Sequence, residues 1–233
     1  MEQICQIAKR YKLKLIEDCA QSAGAEYDKK KVGTFGDIAT FSFYATKNMT
    51  TGEGGMVVTN NRRLMDRCKS LVNHGRSSRF VHSRLGYNYR MTEIVASLGL
   101  GQLKRLNLFN KKRIQNASFL TKNLSGLRKL KLPIVPPRCK HVFHLYTLRV
   151  KKGRASFIKH LDKNGVESAI IYPFPLHRQP VYKNFGISGN NLPTAEQLSR
   201  QVVSIPVHPE LSQGELGKMV RVITEWDSLS LKV

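Results

Sequence analysis

Ile38-Ala39-Thr40-Phe41-Ser42-Phe43-Tyr44-Ala45-Thr46-Lys47 decides how this chain reads. The part from Ile38 to Tyr44 is strand-like, and the run stops on a lysine. A glycine-rich turn follows, Asn48-Met49-Thr50-Thr51-Gly52-Glu53-Gly54-Gly55, and Gly55 to Thr59 reads as another strand. Upstream, Leu13, Leu15 and Ile16 form a short apolar run closing on Glu17-Asp18, as a buried parallel strand ends in a loop. Residues 19–37 between them are rich in Gly, Lys and small side chains and read as an irregular excursion. Ahead of all this, Ile4, Ile7, Ala8 and Tyr11 recur at helical spacing.

Downstream, Asn61 to Val72 is an amphipathic helix with Leu64, Met65, Cys68, Leu71 and Val72 on one side. Gly75 to Tyr89 reads as a loop, and Thr92-Glu93 opens a helix through Ala96, Leu100 and Leu103. A second helical stretch, about 106–124, follows with little or no break. Gly126, Pro133, Pro136 and Pro137 mark a boundary. Past it, 141–150 reads as a strand, 154–164 as a helix and 166–172 as a strand. Helices are expected around 194–203 and from Ser212 to about Trp226. Interleaved helices and strands imply an α/β layering with a second, smaller α+β domain.

Composition narrows the function classes. Of 233 residues, 41% are hydrophobic, enough to bury a core, so whole-chain disorder is excluded. No apolar run approaches the ~20 residues that span a bilayer, and the N-terminal residues lack a signal-peptide pattern. Cys5, Cys19, Cys68 and Cys139 are widely spaced with no metal-binding pattern, so reduced thiols, no metal and a cytoplasmic location are expected. Lysine and arginine number 39 against 16 acidic residues, a net charge of +23. Such charge attracts polyanions, yet no nucleic-acid-binding motif accompanies it. A solvated lysine-rich surface is the plainer reading, and no specific nucleic-acid partner is expected.

Three residues could share one chemistry. Asp18 stands at a strand's C-terminal end, where open α/β sheets place ligands, although a turn or N-cap aspartate stands in the same context. Lys47 lies between two strands beside a glycine-rich turn. Partial burial there would ready it as an amine nucleophile, whereas the spacing is not that of a phosphate-binding P-loop. Ser42 precedes it by five residues and Gln21 follows Asp18 by three. Pyridoxal phosphate needs an acidic partner for its ring nitrogen, a lysine for its aldehyde and hydroxyl donors for its phosphate.

These residues carry a resemblance. Ile16-Glu17-Asp18-Cys19-Ala20-Gln21-Ser22-Ala23-Gly24-Ala25, Val32-Gly33-Thr34-Phe35-Gly36-Asp37, the Phe41–Asn48 run and Thr51-Gly52-Glu53-Gly54-Gly55-Met56 are similar to the DegT/DnrJ/StrS family. So are Asn73-His74-Gly75, Gly86-Tyr87-Asn88-Tyr89-Arg90-Met91, Tyr172-Pro173-Phe174-Pro175-Leu176-His177 and Ser204-Ile205-Pro206-Val207-His208-Pro209. The family consists of pyridoxal 5'-phosphate-dependent sugar-nucleotide aminotransferases with the aspartate-aminotransferase fold (fold type I).

The resemblance implies a partial cofactor-binding large domain over 1–130, with a mainly parallel sheet, and a small α+β domain over 131–233. It makes Lys47 the catalytic residue that holds the cofactor aldehyde. Asp18 becomes the ring-nitrogen carboxylate, Gln21 a neighbour of the ring and Ser42 a phosphate ligand. Asn88 matches the residue that reaches the phosphate of a neighbouring subunit, so a homodimer with shared sites is implied. Tyr172 and His177 fall in the substrate loop, but Ile171 stands where many members carry His. The family's upstream segment, with its phosphate-binding turn and ring-stacking aromatic, does not precede Met1 here, so the chain resembles a C-terminal portion. It is expected to be incomplete as an enzyme by itself.

The implied reaction moves an amino group from an amino acid such as glutamate to a nucleotide-linked keto-deoxysugar. The Thr50–Gly55 turn inclines the reading to a 4-keto sugar. The alternative is a non-catalytic basic remnant that binds polyanions or nucleic acid. Asn73-His74-Gly75 equally fits a helix end with Gly75 as a left-handed cap, and His208 between two prolines fits a turn.

Overall fold

The structure is a computed structural model and describes residues 1–185 and 191–229. Two compact units make up the chain: Met1–Lys111 with Val135–His144, and Lys112–Ile134 with Leu145–Val233.

In the first unit, α1 (Glu2–Arg10) leads into β1 (Ile16–Asp18), which pairs in parallel with β4 (Ile38–Ser42). The other edge of β4 pairs antiparallel with β5 (Gly55–Val58), giving the order β1-β4-β5. One ladder of this sheet is therefore parallel and one antiparallel. Strand β1 also differs from a uniformly buried strand, because among the described residues it pairs on one side only. Ile16 is 66% exposed while Glu17 is buried.

The excursion over 19–37 is more regular than its composition suggests. It holds β2 (Glu26–Tyr27) and β3 (Lys30–Lys31), a hairpin whose two central residues, Asp28 and Lys29, both have positive φ (51° and 63°). That is the twist a two-residue hairpin requires. Strand β7 (Cys139–Lys140) completes this small sheet against β2. Ala23, Phe43, Met49 and Leu106 form a core cluster, flanked by Phe41 and Met91.

Helix α2 (Arg62–Val72) starts at Asn61, whose side chain accepts from Leu64 N. Helix α3 (Glu93–Leu124) is one helix of 32 residues, not two. Nothing between Leu103 and Leu106 breaks it, and Thr92 Oγ1 accepts from Val95 N at its start.

The second unit has an antiparallel sheet, order β6-β8-β9, of β6 (Leu130–Lys131), β8 (Tyr146–Val150) and β9 (Val202–Ile205). Strand β8 alternates buried and half-buried residues, with Tyr146, Leu148 and Val150 inward. Helices α4 (Arg154–Lys163), α5 (Pro193–Gln201) and α6 (Gln213–Leu229) complete the unit. Phe157 of α4 meets Trp226 of α6 with ring centroids 4.7 Å apart. Ser212 and Glu215 cap α6 reciprocally: Ser212 Oγ accepts from Glu215 N, and Glu215 Oε2 accepts from Ser212 N.

Three expectations change here. The strand over 141–150 is confined to Tyr146–Val150, because Cys139–Lys140 pairs elsewhere and Phe143 has a φ of 45°. The strand over 166–172 reduces to a single bridge, Ala169 to Ser204. The helix around 194–203 ends at Gln201, and β-branched Val202 and Val203 enter β9. Among the described residues no helix is long and apolar enough to cross a membrane, and no cluster of metal-ligating side chains occurs.

Candidate active site

Strand parity places Asp18 and Ser42. Asp18 is in register with Thr40 across the parallel ladder, and Ser42 lies two residues beyond Thr40 on the same strand. Registered partners and i, i+2 neighbours share a face, so Asp18 and Ser42 project from one side of the sheet, ~8 Å apart by strand geometry. The opposite side is taken by Glu17 and Ala39, both buried. Asp18 accepts from Ala20 N at 3.0 Å, which turns the chain toward exposed Gln21. Ser42 Oγ accepts from Tyr44 N at 3.3 Å as the strand ends, and Lys47 N then donates to Tyr44 O. Lys47 is half-buried, and no hydrogen bond or ion pair engages its Nζ among the described residues.

Glu17 shapes this end of the sheet from behind. Its Oε1 accepts from Phe35 N and Gly36 N (2.6 and 2.7 Å) and its Oε2 from Gly33 N (2.8 Å). One buried carboxylate thus satisfies three loop amides that would otherwise be stranded. Cys19, directly after Asp18, is buried, and desolvation followed by the nearby Glu17 charge pushes its thiol pKa up.

Asn88 sits on a loop that closes the end of α2. Tyr87 N and Tyr89 N donate to the terminal carbonyls of Leu71 and Val72, and His74 N donates to Tyr87 O. Gly75 N reaches Ser70 O, and both His74 (φ 58°) and Gly75 (φ 70°) are left-handed, so the helix-end reading of Asn73-His74-Gly75 holds. Gly75 lies against the backbone of Arg84 and Gly86, where a Cβ would clash with Arg84 O. Asn88 is exposed, and its Oδ1 accepts from the Arg90 guanidinium at 3.3 and 3.4 Å.

Tyr172 and His177 belong to the second unit, on the wall of a cavity of ≈ 1050 Å³ lined largely by apolar residues including Phe174, Leu176 and Leu198. Tyr172 is exposed. His177 is buried, with Nε2 3.2 Å from Glu196 Oε1. The same carboxylate accepts from Arg178 (2.7 Å) and Arg200 (3.3 Å). Arg178 first, then His177, holds the Glu196 pKa below the usual carboxylate value.

Glu17, Glu196, Asn48 and Asn110 were not singled out by sequence. The only hint is on α3, where Leu106, Asn110, Arg113, Ala117, Leu120 and Leu124 follow a three–four spacing and are all buried. Two polar residues interrupt that stripe.

The donor set near β1 and β4 fits pyridoxal phosphate. A carboxylate and a hydroxyl project from one face of the sheet, at a separation comparable to a pyridine ring with its phosphate arm, and a half-buried amine follows in the next turn.

The model of the DegT/DnrJ/EryC1/StrS aminotransferase family matches residues 1–224. An uncharacterized protein of Methanocaldococcus jannaschii is 38% identical over 96% of this chain and 62% of its own length. GDP-perosamine synthase of Escherichia coli O157:H7 is 37% identical, covering 98% of this chain and 62% of that protein. The crystal structure of DesV from S. venezuelae, in complex with a ketimine intermediate, superposes with a TM-score of 0.93 at 34% identity. That match covers 97% of this chain and 61% of DesV. The chain thus spans about three-fifths of the length of the relatives it matches.

Proposed function

The chain belongs to the DegT/DnrJ/EryC1/StrS aminotransferase family, and from that premise we propose a sugar-nucleotide transamination for the protein that carries these residues. The amino group comes from an amino acid such as glutamate, and the acceptor is the keto group of a nucleotide-linked deoxysugar, with the Thr50–Gly55 turn favouring a 4-keto position. The observation that carries the reading is the shared face of Asp18 and Ser42, with Lys47 in the turn that follows.

Bound pyridoxal phosphate supplies the electron sink for exchanging an amine with a carbonyl. With the cofactor bound, Lys47 Nζ would hold its aldehyde and, once displaced by the incoming amine, would carry the proton to and from the reacting carbon. Asp18 keeps the ring nitrogen protonated through a charge-assisted bond, and Gln21 donates to the ring's oxygen. Ser42 binds the phosphate. Asn88, fixed on the loop that caps α2, reaches the phosphate of a second copy, so a homodimer shares its sites. Tyr172 offers an exposed ring to the substrate, and His177 holds the substrate loop through Glu196.

The test is to load the complete protein that carries these residues with pyridoxal phosphate and titrate glutamate. Loss of the cofactor's visible band, followed by amine appearing on a keto-sugar nucleotide, supports the reading. A band that glutamate leaves unchanged contradicts it.

A further inference from the structure

A buried polar relay joins the turn of Lys47 to the loop of Asp18 and Gln21. Asn48, the residue after Lys47, is 5% exposed. Its Nδ2 donates to Asn110 Oδ1 at 2.8 Å and to Val142 O at 3.0 Å. Asn110, 4% exposed on α3, passes the connection on: its Nδ2 donates to Ala23 O at 2.9 Å. Ala23 lies two residues past Gln21, in a loop pinned by Ser22 N to Cys19 O and Ala25 N to Ser22 O. Gly24 makes the approach possible, since a Cβ there would stand 2.5 Å from Asn110 Nδ2.

This relay is costly to keep. Asn48 Oδ1 is buried with no hydrogen-bond partner among the described residues. A stranded acceptor loses its hydration and gets nothing back, so the amide is held by its NH2 group at the expense of its oxygen. Leucines would fill the same stripe of α3 more simply, as Leu106, Leu120 and Leu124 do. A polar pair 62 residues apart in sequence instead fixes a distance, because hydrogen bonds tolerate far less displacement than apolar contacts.

We propose that Asn48 and Asn110 are positioning residues that set the separation between Lys47 and the Asp18–Gln21 loop, so that aldehyde and ring nitrogen of one cofactor are engaged together. This rests on the reading of Lys47 and Asp18 given above. Neither asparagine is assigned a contact with cofactor or substrate. Their effect is on alignment, where a shift of ~1 Å costs up to ~100-fold in rate.

The experiment takes the complete protein that carries these residues as the parent and compares it with Asn110→Ala and Gly24→Ala, the second of which displaces the Asn110 amide without removing it. For the cofactor-loaded proteins, the pH midpoint of the visible band is recorded together with kcat and the KM for glutamate. For the cofactor-free proteins, amide hydrogen exchange is followed at Ser22, Ala25, Lys47 and Thr51, with Leu148 of the second unit as a reference.

Both variants should move the midpoint by ~0.5 pH unit or more and lower kcat ~10- to 100-fold, with KM within about threefold. Exchange should quicken in both loops together and stay unchanged at Leu148. If Asn110→Ala does not fold, Asn110→Ser keeps a polar atom too short to bridge the two loops and gives the same comparison. A parent-like midpoint and kcat, or exchange rising in one loop alone, overturns the proposal. Borohydride reduction separates the two levels. A parent labelled at Lys47 with parent-like variants sinks the relay only, whereas a parent not labelled at Lys47 sinks the site and the relay together.

Discussion

Glu17 and Glu196 each pin a loop of the proposed site with a single carboxylate, but the donors differ in kind. Glu17 takes three backbone amides, from Gly33, Phe35 and Gly36, and no cation among the described residues. Glu196 takes side chains that carry charge: Arg178 and Arg200, and His177 when protonated. The amides of 33–36 are part of the folded loop itself, so the Glu17 clasp holds whenever that loop is formed. The Glu196 clasp is built from ionisable side chains, with both arginines exposed to solvent, where salt screens attraction and acid removes it. The loop behind the proposed cofactor site is thus fixed, and the loop of Tyr172 and His177 is adjustable.

Removing Glu17 should have the largest effect. Glu17→Ala leaves three amides without an acceptor, and a loss of ~3 kcal/mol or more is expected in denaturant unfolding. The loss should be the same in low and high salt. A strong salt dependence would make Glu17 electrostatic after all and erase the contrast.

Acidification comes next. Because Arg178 and His177 lower the folded-state pKa of Glu196, its contribution is complete above the ordinary glutamate value and is lost as pH falls through the lowered one. Protection from exchange at Arg178 and Gln179, whose amides bond Pro175 O and Leu176 O, taken relative to the intrinsic rate at each pH, should therefore fall on acidification, and also in molar salt. Protection at Gly33 and Gly36 should not respond to salt. Equal sensitivity of both loops would break the comparison.

The smallest change is expected from Arg200→Ala. Its side chain is 74% exposed at 3.3 Å from Glu196 Oε2, so loop exchange should barely move, while Arg178→Ala moves it clearly.

What the sequence disclosed follows the same division between local and distant. Asp18, Ser42 and Lys47 stood out because a strand end and a glycine-rich turn are neighbours in sequence. Most helices were legible from their 3.6-residue period, Asn61 and Thr92 marking two of the starts. Strand β9 was hidden because Val202 and Val203 continue the apolar spacing of α5, and only pairing with β8 decides their conformation. Glu17 looked like half of an acidic strand end, since nothing local reveals that its partners lie 16 to 19 residues away. Asn48–Asn110 and His177–Glu196 join residues 62 and 19 apart, which no period marks. The polar interruption of the α3 stripe was the one available sign.

The central claim is that Lys47, in the turn after the strand that pairs with the strand of Asp18, holds the cofactor aldehyde. Borohydride reduction of the complete protein that carries these residues, loaded with pyridoxal phosphate, followed by peptide mapping, tests it directly. The account expects the reduced pyridoxyl group on Lys47, and its loss in Lys47→Ala. A label carried instead by another lysine, such as Lys12 or Lys31, would contradict it.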